Sequence, residues 1–256
     1  MNDFYSDTKT KPSHAMLEYA LGRTFGDEQK DEDPTTLELC ERVAHLLGKE
    51  SAVFLPSGTM CNEIAITVQT SPGDEIICDR SSHIINFEGG APAAMSGVMI
   101  HPLDGKYGQF TEEDVRQALR PESRYMPISR MLCAEQTANL GGGAVWQLEK
   151  LDSVAQVAKN SGLSTHLDGA RLLNACVKTG ISAARYSREY DSCWIDFTKG
   201  LGAPIGAVLA GSAEFIQAAW RVKQRIGGAM RQSGVIASYC LYALENNVER
   251  LAEDHA

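Results

Sequence analysis

Lys199 sits between two apolar runs, Cys193-Trp194-Ile195 and Ile205-Gly206-Ala207-Val208-Leu209-Ala210, with Gly200, Gly202 and Gly206 close by. A lysine between two strand-like runs is costly to bury as a solvated charge. The glycines leave the backbone open to close approach. Withdrawal from water favours the neutral amine, whose lone pair can attack a carbonyl. Lys199 therefore suits a Schiff base to a carbonyl cofactor. It equally suits a surface lysine in a glycine-rich hairpin turn, and the other candidates have to decide between the two.

Asp168 follows the apolar run Leu163-Ser164-Thr165-His166-Leu167 and precedes Gly169. It can cap the next helix. It can also be the ionised partner of a pyridine nitrogen, keeping a ring protonated so that it accepts carbanion charge. Arg171 is either a solvated helix-face arginine, one turn into that helix, or a planar fork for a carboxylate or phenolate. His83 is either a satisfied loop histidine or a group that stacks on an aromatic cofactor and exchanges protons near neutrality. Ser57-Gly58-Thr59 is an ordinary strand-to-helix turn or a phosphate cup made of backbone N–H groups and hydroxyls.

The elements that must carry these residues alternate. Strands are expected near 52–55, 75–78, 97–100, 130–134, 163–167, 193–197 and 205–210. Helices are expected from Pro34, capped by Asp33 and stopped by Gly48, then after Thr59, after Thr111, over 148–159, from Leu172, over 213–225, and from about Gln232 to the end. The pattern predicts an α/β fold with a mostly parallel sheet, and one of the two strands around Lys199 is expected to run antiparallel. Ligands in such sheets sit beyond the carboxyl ends of the strands. Ser57-Gly58-Thr59, His83, Glu135, Asp168 with Arg171, and Lys199 mostly fall just after a predicted strand, so five scattered clusters become one expected pocket. In that order they form the parts list of a pyridoxal-phosphate enzyme with the aspartate-aminotransferase fold.

The bounds agree. The chain has 256 residues, is 43% hydrophobic and 22% charged, and carries a net charge of −9. The acidic balance argues against nucleic acid or an anionic membrane as partner. Seven cysteines, none at CxxC spacing, read as reduced core residues, with no metal site. The polar start Met1-Asn2-Asp3-Phe4 shows no signal peptide and no run reaches membrane-spanning length, so the expected location is the cytoplasm.

Seven segments, in order along nearly the whole chain, resemble the low-specificity L-threonine aldolases of the β-eliminating-lyase superfamily. Ser6-Asp7-Thr8-Lys9-Thr10-Lys11-Pro12 resembles an SDTxTxP arm. Gly26-Asp27-Glu28 with Asp33-Pro34-Thr35 resembles GDDxYxxDPT. Ser57-Gly58-Thr59-Met60-Cys61-Asn62 resembles SGTMxN. Ser82-His83-Ile84 with Glu88-Gly89-Gly90 resembles the segment of a ring-stacking histidine. His166-Leu167-Asp168-Gly169-Ala170-Arg171 matches HxDGAR. Thr198-Lys199-Gly200-Leu201-Gly202-Ala203-Pro204 resembles SKGLGAP, and Gly227-Gly228-Ala229-Met230-Arg231-Gln232 resembles GGxMRQ.

The resemblance implies pyridoxal 5′-phosphate as cofactor and retro-aldol cleavage of threonine, allo-threonine or a related β-hydroxy-α-amino acid to glycine and an aldehyde. It implies Lys199 as the Schiff-base lysine, Asp168 on the pyridine nitrogen, His83 on the ring, Gly58 and Thr59 on the phosphate, and Ser6 with Arg171 on the substrate carboxylate. It implies a homotetramer, in which the arm could reach a neighbour. Residues 1–33 would form that arm, 34–230 the cofactor-binding domain, and 231–256 a helix leading toward a small domain expected to be absent. Where the family often has Glu-Asn-Thr-His, this chain has Glu135-Gln136-Thr137-Ala138. That leaves His83, or a water it holds, to take the hydroxyl proton. The change keeps a β-elimination or an aldol cleavage of bulkier aromatic substrates open, alongside a non-catalytic homologue.

Overall fold

The computed structural model describes residues 5–255. Met1 to Phe4, at the start of the expected arm, and Ala256 lie outside the described residues. Seven strands form one sheet: β1 (Ser51–Leu55), β2 (Glu75–Asp79), β3 (Met99–Leu103), β4 (Ser129–Glu135), β5 (Ser164–Gly169), β6 (Ser192–Asp196) and β7 (Ala207–Gly211). Their order across the sheet is β1-β7-β6-β5-β4-β2-β3. β7 pairs antiparallel with both β1 and β6, and the remaining pairs are parallel. Two reversals through β7 make β1 parallel to β6. Consequently β1, β2, β4, β5 and β6 all end on the same edge of the sheet. This brings together the residues that follow positions 55, 79, 135, 168 and 196.

The helices cover both faces, as a sheet with buried strands requires. They are α1 (His14–Leu21), α2 (Pro34–Leu47), α3 (Gly58–Gln69), α4 (His83–Asn86), α5 (Glu112–Ala118), α6 (Leu148–Asn160), α7 (Leu172–Thr179), α8 (Ala183–Ser187), α9 (Ala213–Arg225) and α10 (Gly234–Asn246). One core joins α2, α6, α7 and α10 to the sheet through residues such as Leu39, Leu151, Leu172 and Leu241. Another, on the opposite face, joins α3 and α9 to β1, β6 and β7 through Ile64, Ile216, Val53, Trp194 and Leu209. Among the described residues no helix is long and apolar enough to cross a membrane.

Caps explain several boundaries. Asp33 accepts from Thr36 N and Pro34 occupies the first turn of α2, while Gly48 closes it at φ 61°. Thr111 and Asp114 form a reciprocal capping box at α5.

The structure differs from the sequence expectation in several places, among them the short helices α4 and α8, which were not expected. The expected arm holds a helix, α1, capped by Ser13, with Met16 buried and Tyr19 edge-on to Tyr242 of α10 at 5.7 Å. Burial of Met16 and Ala20, with the packing of α1 on α10, outweighs the turn-forming residues around it. The strand expected at 97–100 is shifted to Met99–Leu103, because Gly97 adopts φ 65°. The last helix ends at Asn246, and a 3₁₀ segment, Glu249–His255, follows. Asn247, at that break, donates to Leu201 O at 2.7 Å, and Leu251 packs beneath Gly200, so this tail supports the loop that carries Lys199.

Two of the motif segments hold each other. Glu28 N donates to Arg231 O at 2.9 Å, and Gly234 N donates to Asp33 Oδ2 at 3.0 Å. The Lys223–Glu28 pair beneath them, at 3.0 Å, is fully buried. These residues do not enter the cavity described next.

Candidate active site

A cavity of about 300 Å³ opens at the shared strand edge. A larger groove of about 660 Å³ along β1 gathers none of the candidate residues, so chemistry rather than size marks the site. The smaller cavity is lined by Ser6, Ser57, Gly58, Thr59, His83, Arg171 and Lys199. Seven of the eight candidates from sequence thus meet in one place. The eighth, Asp168, lies buried just beneath the floor.

Ser57 is the N-cap of α3. Its hydroxyl accepts from Met60 N and its carbonyl from Cys61 N. The N–H groups of Gly58 and Thr59 precede any intrahelical acceptor and lie at the positive helix end. Only glycine fits at 58: a Cβ there would stand 2.2 Å from the Trp194 ring. The helix end is thereby seated directly on Trp194.

Lys199 lies in the loop between β6 and β7. Its Nζ pairs with Asp196 Oδ2, and its carbonyl accepts from Gly202 N at 2.8 Å and from Thr10 Oγ1 at 2.7 Å. Gly206 makes the loop's return possible: its φ is 132°, and a Cβ would meet Cys240 Sγ at 2.6 Å.

Arg171 is the N-cap residue of α7, not one turn inside it, and its side chain does not face solvent. Its fork holds both oxygens of Asp7, at 2.8 and 2.7 Å. Burial works against the Asp7 charge, but Arg171 outweighs it and the carboxyl is lowered from its ordinary value. The carboxylate on this fork is therefore the chain's own. Ser6, beside it, caps a short 3₁₀ turn, Asp7–Lys9.

Beneath the floor, Asn62 joins β5, β6 and the loop carrying Glu88. Its Nδ2 donates to Asp168 Oδ2 at 2.9 Å and to Glu88 Oε1 at 2.6 Å. Its Oδ1 accepts from Trp194 Nε1 at 2.7 Å and from His166 Nε2 at 3.0 Å. Burial holds His166 down at about 3, so the ring is neutral and serves as a fixed donor. Asp168 is no helix cap in the ordinary sense: its Oδ1 accepts from Ala170 N at 3.1 Å. Burial raises its carboxyl, against the Asn62 hydrogen bond, with the Glu88 charge adding to the rise.

His83 Nδ1 bonds Glu88 Oε1 at 2.8 Å. Burial lowers His83, but the bond to Glu88 and the charges of Asp168, Glu88 and Glu135 prevail and raise it above its ordinary value. Glu135 also lines the cavity. It accepts from His83 N at 3.1 Å and Asn139 N at 2.9 Å. Burial and the Asp168 charge nevertheless push it up to about 7. Glu135, Asp168 and Trp194 stand in register across β4, β5 and β6, which is why three groups so far apart in sequence share one floor.

Asn62, Glu88, Trp194 and Asp196 were not singled out by sequence. Asn62 and Glu88 each had one signal, their places in the Ser57–Asn62 and Glu88–Gly90 segments. Ala138 is buried rather than cavity-lining, and a Cβ on Gly108 would come within 2.7 Å of its own Cβ. No room for a larger side chain exists on that side, and Asn139 lines the cavity instead.

The profile of the family described as Beta-eliminating lyase matches residues 3–256. The chain belongs to this family. Its members are pyridoxal-phosphate-dependent lyases, and the chain has the aspartate-aminotransferase-like fold of its threonine-aldolase neighbours. The chain is 37% identical over 256 residues to the low specificity L-threonine aldolase of Escherichia coli K12, covering 100% of this chain and 76% of that one. It is 38% identical over 259 residues to low-specificity L-threonine aldolase 1 of Arabidopsis thaliana, covering 99% and 72%. A putative L-allo-threonine aldolase from Listeria monocytogenes superposes with a TM-score of 0.81 at 26% identity, covering 96% of this chain and 70% of that one. Threonine aldolase from Leishmania major, at 22% identity and a TM-score of 0.83 with coverages of 96% and 73%, shares the fold.

The donor set fits this family's cofactor. A lysine amine borders a cavity with a helix N-terminus on one wall and a histidine on another, above a buried carboxylate.

Proposed function

We propose that the chain cleaves L-threonine, L-allo-threonine or a related β-hydroxy-α-amino acid to glycine and an aldehyde. The observation that carries this reading is the single cavity in which Lys199, His83, Arg171 and the Ser57–Thr59 turn converge, in a chain so similar to threonine aldolases. Lys199 is the residue that would hold pyridoxal phosphate, with Gly58 and Thr59 at its phosphate, His83 at its ring and Asp168 at its nitrogen. When bound, the cofactor supplies an electron-accepting ring for the pair left at Cα.

The chain's own residues do the rest. The Arg171 fork, with Ser6, takes the substrate carboxylate, and Asp7 has to yield it. Holding that carboxylate fixes which bond at Cα stands ready to break. Asp196 and the loop glycines keep Lys199 in reach. Asn62 and Ala170 N hold the Asp168 carboxylate in place, so its charge opposes the ring nitrogen without reorganisation.

Two groups in the cavity can take the hydroxyl proton, His83 and Glu135. Glu135 is poised near neutrality, where a general base works best. An acid acting as base must be ionised, so kcat/KM is expected to climb through about pH 7 and level off above it. Glu135→Gln removes the basic oxygen but keeps the shape. It is expected to lower kcat/KM by roughly 10²-fold and to flatten that limb. An unchanged pH profile in this variant returns the role to His83.

The reading takes the enzyme to be cytoplasmic and homotetrameric, acting in threonine breakdown and glycine formation. The resemblance to the aldolases supports it. The test is product analysis. Purified chain with pyridoxal phosphate is expected to release acetaldehyde from threonine or allo-threonine and no pyruvate from serine. Pyruvate from serine without aldehyde from any β-hydroxy substrate makes the chain a β-eliminating enzyme instead.

A further inference from the structure

Glu63 is a second buried carboxyl group next to this network that the mechanism above does not use. It lies on α3, one residue after Asn62, and is 2% exposed. Both of its oxygens lack a hydrogen-bond donor, and so does Glu88 Oε2. Glu88 is the side chain that acts on Glu63, and it is anchored 2.6 Å from the amide of Asn62, the preceding residue on α3. Three buried acceptor oxygens without a donor is an arrangement that two ionised groups cannot hold away from water. One proton between them gives two of the three oxygens a partner, which is how close carboxyl pairs settle.

We propose that Glu63 is a neutral carboxylic acid in the folded protein, donating its proton to Glu88, and that it is a positioning residue acting through Glu88 on His83 and Asn62. Glu88 Oε2 then has a donor, and Glu88 Oε1 is free to hold His83 Nδ1 and Asn62 Nδ2. Asn62 passes the constraint to Asp168.

The surroundings leave Glu88 as the partner. Of the elements packed against α3, β1, β7 and the turn Pro92–Ser96 carry no carboxylate or cation. β4 carries Cys133, Glu135 and Arg130, β5 His166 and Asp168, and β6 Cys193 and Asp196; α9 carries Glu214, Arg221, Lys223 and Arg225. The charge that acts on Glu63 is that of Glu88, and with burial as the larger cause it pushes Glu63 up to about 8.

The functional consequence rests on the cofactor-site reading, but the proton itself is tested on the chain without cofactor. Infrared spectra at about pH 7.5, above the Glu135 value and below that of Glu63, are expected to show a protonated-carboxyl band. Glu135→Gln is expected to remove only the minor share that Glu135 contributes at this pH, and Glu63→Gln in that background to abolish the rest. No band at this pH, or a band that Glu63→Gln leaves unchanged in the Glu135→Gln background, overturns the proposal. An ionised Glu63 bridged to Glu88 by a water or a cation would give the first of these results.

The positioning role is read by NMR titration of His83. Glu63→Gln keeps an N–H donor for Glu88 and is expected to leave the midpoint within about 0.3 unit. Glu63→Leu removes the donor and concentrates charge on Glu88. It is expected to raise the midpoint by about half a unit or more, roughly threefold in proton affinity. No shift in either variant, or an equal shift in both, overturns the positioning role while leaving the aldolase reading untouched.

Discussion

Lys199→Ala is expected to cut turnover by at least roughly 10³-fold, about 4 kcal/mol of barrier, and to abolish the visible absorption that lysine-bound pyridoxal phosphate gives. Among the described residues no second amine lines the cavity to replace it. The fold should survive, with a modest loss. The side chain pairs with Asp196 Oδ2, and the other Asp196 oxygen keeps its donors, Thr198 N and Oγ1, both at 2.7 Å. Leaving one carboxylate oxygen without a partner costs about 1–3 kcal/mol. Lys199→Arg separates the two effects. The guanidinium can retain a pair with Asp196 but does not deprotonate, so it forms no Schiff base. Stability near that of the parent with no absorption and no turnover is the expected result. Turnover retained in either variant removes Lys199 from the chemistry.

What could be read from sequence follows from how local each signal is. The α2 boundaries are written in Asp33, Pro34 and Gly48, and α9 spans the predicted 213–225. The pocket was legible because a parallel sheet collects strand ends on one edge, so residues after strands needed no contact information to be grouped. α1 was missed although Ser13 caps it, because eight residues beside Pro12 give a weak period and its stability comes from α10. The Asp7–Arg171 pair was out of reach. It joins positions 164 apart, and a carboxylate on a long polar arm has no preferred partner in sequence. Glu135 was placed in the pocket, but nothing in Cys133-Ala134-Glu135 says that Asp168 would stand in register with it. Its elevated pKa is a product of that register and of burial.

The residue with the largest structural debt is Asn62. It is fully buried and serves four groups that come from three separate segments, β5, β6 and the loop carrying Glu88. Asn62→Leu keeps the number and branching of side-chain heavy atoms and has no polar atom. It leaves Asp168 Oδ2, Trp194 Nε1 and His166 Nε2 without partners inside the protein. Each orphaned group costs about 1–3 kcal/mol, so a stability loss of about 4 kcal/mol is expected, a thousandfold in the folding equilibrium. Urea unfolding measures it, with an unchanged m-value showing that only stability has moved. Asn62→Asp is the sharper variant. It keeps an oxygen for Trp194 and His166 and replaces only the donor to Asp168 and Glu88. Three carboxyl groups then meet in the interior. The new group is stabilised there only when protonated, so its folded pKa is raised. The stability of this variant is therefore greatest in acid and lost as pH rises through that value. A variant equally stable across pH 5 to 8, or an Asn62→Leu protein within about 1 kcal/mol of the parent, would show that the Asn62 amide is not what holds Asp168 under the cavity.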